Sequence, residues 1–144
     1  MSSSNGKDFS EKHEPEAKPD PVIEARIREY TKDDDVACAV AFKVVEELGI
    51  SPSEVGKTID LMNFRIVKCQ LGLFGYKPHN RIIEPARPDN IEIEDAIKNR
   101  LADGRLPCKT AWGIAKQFSV RKMTVSSACE AMGIKIKPCQ LGAF

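Results

Sequence analysis

Residues 114–125 read Ile114-Ala115-Lys116-Gln117-Phe118-Ser119-Val120-Arg121-Lys122-Met123-Thr124-Val125. Ile114, Ala115 and Phe118 continue a stripe begun at Ala111, at the three-to-four residue spacing of a helix. Ser119-Val120-Arg121 interrupts it, and Val125 opens a second stripe through Ala128, Cys129 and Met132. Two helices of roughly ten residues joined by a turn of three or four make a helix-turn-helix. Upstream, Ile93, Ile97 and Leu101 place a supporting helix. Downstream, Ile134-Lys135-Ile136-Lys137 alternates as a strand does.

The same pattern occurs twice. With a fixed offset of 70 and no gaps, residues 23–74 lie on 93–144 with 14 of 52 positions identical. The identities include Ile23/Ile93, Cys38/Cys108, Ala41/Ala111, Val55/Val125, Met62/Met132 and Cys69-Gln70-Leu71-Gly72 on Cys139-Gln140-Leu141-Gly142. One fold used twice is the reading. In the first copy Ser51-Pro52-Ser53-Glu54 offers a capping box with Pro at the first helical position, and Phe64-Arg65-Ile66-Val67 suits a strand. The fold expected is mainly α: a tandem duplicated helix-turn-helix, winged-helix-like with reduced wings. It divides into a disordered tail at 1–22, repeat one at 23–74, a Pro-containing linker at 75–92 and repeat two at 93–144. A core built from 52 residues is small, so the repeats are expected to pack on each other or the chain to form a homodimer.

Composition bounds the class. Hydrophobic residues are 42%, charged 30% and aromatic 6%, which fits a helix-rich globular chain. The longest apolar run, Val36–Phe42, is far below the ~20 residues of a membrane span. The first twenty residues hold no apolar segment of the secretory kind, so a cytoplasmic location with reduced thiols is expected. Net charge is +1, but 93–144 carries nine basic and four acidic residues, against seven and nine in 23–74. A localised basic field is the footprint of a polyanion partner.

From Ile93-Glu94-Asp95-Ala96-Ile97 through Gly104-Arg105-Leu106-Pro107 to the 114–125 stretch, the chain resembles the gluconate-repressor (GntR) type of winged helix-turn-helix transcription regulator. The resemblance covers 93–133 and extends more faintly to 23–63. It implies a third helix that enters the major groove of double-stranded DNA and a wing that touches the backbone. Two departures stand out: Arg121 occupies the place where the family has a Ser cap, and Ser126 one where it often has Arg.

The DNA-contacting set expected in repeat two is Lys109, Arg121, Lys122, Thr124, Ser126, Ser127, Lys135 and Lys137. Cations would neutralise phosphates while hydroxyls fix register. The matching face of repeat one, Ser53, Glu54, Lys57 and Asp60, is neutral to acidic and is expected to bind DNA weakly or to serve in pairing. Cys38/Cys69 and Cys108/Cys139 are equivalent pairs expected to lie near one another. They read first as small buried core residues, with a shared thiolate metal site or a redox disulfide as the alternatives. Cys129 reads as packing.

Gly56-Lys57-Thr58 lacks the spacing of a phosphate loop, and Asp33-Asp34-Asp35 reads as a solvated turn. His13 and His79 lie in the tail and linker, where no fixed geometry is expected. Trp112 and its counterpart Phe42 suit either the core or an interface between the copies. No cofactor and no catalytic group is called for. The function expected is a DNA-binding transcription regulator, with a protein-interaction or metal- and thiol-sensing adaptor as the alternative.

Overall fold

The computed structural model describes His13, residues 17–77 and residues 80–143. His79 and most of the 1–22 tail lie outside the described residues. The chain is mainly helical with a small two-stranded sheet, and it divides into two compact units. Unit one contains residues 1–68 and 141–143; unit two contains 69–140 and 144.

In unit one, α1 (Pro21–Tyr30) starts where the Asp20 carboxylate accepts from the amides of Val22 and Ile23. The helix therefore begins inside the expected tail, with Pro in its first turn where a missing amide hydrogen costs nothing. β1 (Asp35–Ala37) leads directly into α2 (Cys38–Leu48), which ends on Gly49 in the left-handed region. α3 (Pro52–Leu61) follows, with the Ser51 hydroxyl accepting from the Glu54 amide as the capping pattern predicts. β2 (Arg65–Val67) pairs with β1 in parallel, in the register Asp35–Arg65, Val36–Ile66 and Ala37–Val67. Ile23, Ile27, Val36, Ala41, Val44, Val55, Ile59 and Ile66 make the core, one stripe from each element.

Unit two repeats the plan. α4 (Ile91–Asn99) is capped by Asn90, α5 (Cys108–Phe118) ends on left-handed Ser119, and α6 (Lys122–Met132) ends on Gly133. Ser119 and Gly49 occupy equivalent positions and adopt nearly the same φ, 56° and 62°. Leu101 lies beyond α4 rather than on its stripe, because Gly104 and Asp103, both at positive φ, turn the chain back in a tight hairpin closed by Ala102 and Arg105. The sheet is reduced to one parallel bridge between Leu106 and Ile136. Leu106 donates to the carbonyl of Lys135 and accepts from the amide of Lys137.

Among the described residues neither unit has a second wing strand. The strand after each third helix pairs directly and in parallel with the segment ahead of the second helix, so no antiparallel wing projects from the sheet.

The segment expected to be a linker is part of unit two. Ile83 is buried, the Ile82 amide donates to the Gly72 carbonyl, and the Ala86 amide donates to the Ser127 carbonyl. Arg81 pairs with Glu130 at 2.7 Å, and Arg87 with buried Glu94 at 2.9 Å. Hydrogen bonding to Arg87 holds the Glu94 carboxyl below its usual range.

Candidate nucleic-acid interface

The third helix of unit two was the expected contact surface, and its two ends differ. At its start Arg121 is exposed, and its side chain caps nothing. Lys122 is half-buried, its Nζ 4.6 Å from the centre of the Trp112 ring, an arrangement that attracts the ammonium to the ring face. Trp112 itself packs on the core of unit two. Thr124 is half-buried and its amide bonds to the Arg121 carbonyl.

Further along, the outward stripe is covered by the unit's own chain. Ser126 is fully buried, and its hydroxyl donates to the Leu71 carbonyl at 2.6 Å. Ser127 is half-buried with its carbonyl bonded to Ala86, and Glu130 is paired with Arg81. Of the eight residues expected at DNA, Ser126 has no surface to offer in this arrangement, and Ser127 offers only part of one. The reason is that Leu71, Gly72, Arg81 and Ala86 lie where an open groove-reading face is expected.

The strand side is different. Lys135 and Lys137 are exposed on either side of buried Ile136, as period-two alternation requires. Lys109 is exposed in the first turn of α5 and Lys116 in its last. Arg105 is exposed one residue before the Leu106–Ile136 bridge, and on the other strand Lys135 holds the same place. Among the described residues, none of Arg105, Lys109, Lys116, Arg121, Lys135 and Lys137 has an acidic partner.

In unit one the three arginines are paired, while exposed Lys32, Lys57 and Lys68 have no acidic partner among the described residues. Arg26 pairs with Glu47 at 2.7 Å, Arg28 with Glu24 at 2.9 Å and Arg65 with Asp35 at 3.4 Å. The Tyr30 hydroxyl and then Arg26 hold the Glu47 carboxyl below its usual range, and Lys43 lies over the Tyr30 ring. Its third helix is also engaged. A methyl group on buried Gly56 would overlap the carbonyl of Leu141, which belongs to the same unit. His13, expected to lack fixed geometry, has its Nε2 3.0 Å from the carboxylate of buried Asp60. Asp33 accepts from the Asp35 amide in an exposed bend, but Asp35 is the first residue of β1 and pairs with Arg65, so the acidic run is a turn only in part.

None of the five cysteines is in a disulfide. Within unit two Cys69, Cys108 and Cys139 lie close enough to act on one another electrostatically, whereas Cys38 belongs to unit one. Within unit two the Gln140 side chain donates to the Cys108 sulfur at 3.6 Å. Burial pushes the Cys69 thiol up, Cys108 to about 11 and Cys129 to about 12. A thiolate is the form that binds metal or attacks a disulfide, and burial holds the Cys69, Cys108 and Cys129 thiols protonated. Among the described residues no group of three or more His, Cys, Asp or Glu is arranged to hold a metal ion. No helix among them is long and apolar enough to cross a membrane.

Sequence reasoning missed two features. Arg105 went unassigned because it lies in a turn rather than in the helix-turn-helix. The covering of α6 leaves no periodic signal, though Ala17-Lys18-Pro19-Asp20 and Ala86-Arg87-Pro88-Asp89, unaligned at an offset of 70, match at 69. That match extends the repeat pattern to residues 86–89, just ahead of α4.

No known protein family, characterised protein or solved structure matches the chain.

Proposed function

We propose that the chain is a DNA-binding protein, a regulator of transcription, whose basic unit two contacts the duplex. The observation that carries this reading is that the strand-edge ion pair Asp35–Arg65 of unit one is matched in unit two by Arg105 and Lys135, within a stretch of nine basic and four acidic residues. Unit one closes its arginines on carboxylates. Unit two leaves Arg105, Lys109, Lys116, Arg121, Lys135 and Lys137 without an acid among the described residues. Exposed cations without local counter-charges gain most from displacing the counterions of a polyanion. Arg121 and Lys122, at the start of α6, supply the end of the third helix that the family resemblance would bring to the groove.

The test is the full chain titrated with random-sequence duplex DNA over a range of salt. Binding at low salt, with a log–log slope equivalent to about four to six neutralised phosphates, supports the reading. Negligible binding at about 20 mM salt, where such a surface binds most strongly, would end it.

A second reading, a protein-interaction module, is favoured by the covered third helices. At Gly56 and at Ser126 each third helix receives a leucine carbonyl from a Cys-Gln-Leu-Gly segment. Its thiol-sensing form is disfavoured by the raised thiol pKa values.

A further inference from the structure

We infer that unit two grips the phosphodiester backbone of DNA through a cationic cross-strand pair, Arg105 and Lys135 with Lys137 beside them, that the Met123–Ser126–Ser127–Glu130 face of α6 reads no bases, and that the start of the helix adds phosphate contacts only. The inference rests on the DNA-binding reading and specifies how the contact is made.

The two units supply the comparison. In unit one the register places Asp35 opposite Arg65, and the two side chains form an ion pair. At the equivalent positions of unit two, one residue before the Leu106–Ile136 bridge on each strand, stand Arg105 and Lys135. Like charges directly opposite each other on a sheet destabilise it. An internal ion pair has been replaced by a site whose charge is balanced only when an anion sits across it. Lys137 follows Lys135 by two residues, so its side chain leaves the strand on the same face, about 6.6 Å further on. Its counterpart in unit one is Val67. The sheet edge therefore carries three cations in unit two and one neutral pair in unit one. An extended row of cations suits the regularly spaced phosphates of a duplex. The Arg105 fork can take one phosphate by two parallel hydrogen bonds, and the lysines act as point charges on its neighbours.

Direct readout needs side chains free to reach base edges. Met123, Ser126, Ser127 and Glu130 recur at the spacing of one helical face, and Leu71, Gly72, Arg81 and Ala86 lie against that face. The Ser126 hydroxyl donates to Leu71 and the Glu130 carboxylate pairs with Arg81, the Ser127 carbonyl accepts from the Ala86 amide, and Gly72 lies against Ile83 and near the Met123 sulfur. Contacts to phosphate carry no sequence information by themselves. The affinity of this unit should then be nearly independent of sequence.

The experiment uses the full chain and measures affinity over a salt series for a panel of duplexes of unrelated sequence. Three variants are compared with the parent: Arg105→Asp, Arg105→Gln and, as a control of equal charge change in unit one, Lys57→Glu. Circular dichroism and thermal melts check folding. Arg105→Asp restores the acid–base pair of unit one and should melt no lower than the parent, and Arg105→Gln guards against a folding defect. The expected result is parent affinity within about threefold across the panel. Arg105→Asp should weaken binding at least tenfold at low salt, Arg105→Gln should lower the log–log slope by about one, and Lys57→Glu should change affinity less than threefold.

Equal weakening by Arg105→Asp and Lys57→Glu would show a diffuse field and overturn the site. A preference of thirtyfold or more for one duplex would overturn the claim that bases go unread. Absence of parent binding would instead sink the DNA reading itself.

Discussion

The hydroxyl of Ser126 donates to the carbonyl of Leu71 at 2.6 Å, and in the other unit Gly56 meets the carbonyl of Leu141 at the same point of the fold. Both members of one pair are separated from their counterparts by the repeat offset of 70. One contact is made by a hydrogen bond and the other by close approach, but each joins the middle of a third helix to the leucine of a Cys-Gln-Leu-Gly segment. Leu71 and Leu141 are both buried.

Replacing Ser126 by Ala removes the donor and leaves a buried carbonyl without its bond. The expected loss is about 1–3 kcal/mol of stability, read as a lower denaturation midpoint. Because the hydroxyl faces Leu71 and not solvent, DNA affinity of the folded variant should stay the same. A selective loss of affinity without destabilisation would contradict its buried position.

Two glycine substitutions should move in opposite directions. Gly56→Ala would force a methyl into the Leu141 backbone, where no flexible side chain can yield, at a cost of roughly 1–3 kcal/mol. Gly113 lies inside α5, and a methyl group there would meet nothing within 4 Å. Gly113→Ala should therefore gain about 0.5–1 kcal/mol from helix propensity alone. Thermal melts of the two variants should bracket the parent.

Arg121→Ser would give α6 the cap that Ser51 gives α3. Stability should rise by about 1 kcal/mol. The same change removes an exposed cation, so the log–log salt slope of DNA binding should fall by about one. A variant that melts higher and binds DNA unchanged would remove Arg121 from the interface.

Alkaline pH should loosen unit two. Burial raises the Cys108 thiol from 9.0 to about 11. Below the unfolded value the thiol is protonated in both states and its full contribution is present. Between about pH 9 and 11 the unfolded chain ionises first, so stability falls as pH rises through the folded value. Cys129, raised to about 12, extends the decline upward. Melting temperatures should drop across this window, and Cys108→Ala should drop less steeply from its own lower starting point.

The helices were legible because each turns one apolar stripe inward, and the offset of 70 exposed two copies of that pattern. Caps were legible at Ser51, where a side-chain oxygen precedes Pro52 and Glu54. The sheet was less so: Ile134–Lys137 alternates over four residues, yet only Ile136 forms a bridge, since so short a run is decided by its partner strand. The cover on α6 was not legible, because its contacts run from Ser126, Ser127 and Glu130 to distant backbone and to an arginine. Ser126 looked exposed for the same reason: a hydroxyl suits a solvated face and a buried bond to a carbonyl equally well, and periodicity does not distinguish them.

Unit one takes residues 141–143 into itself, and Leu141 among them is buried. During synthesis its helices α1, α2 and α3 leave the ribosome long before that segment does. The half of the protein made first must therefore wait, with the site beside Gly56 unfilled, until residues 69–140 of unit two have been translated. A chain stalled before Leu141 would present that open site to proteases and chaperones, so a segment made late acts as a seal on the half made early.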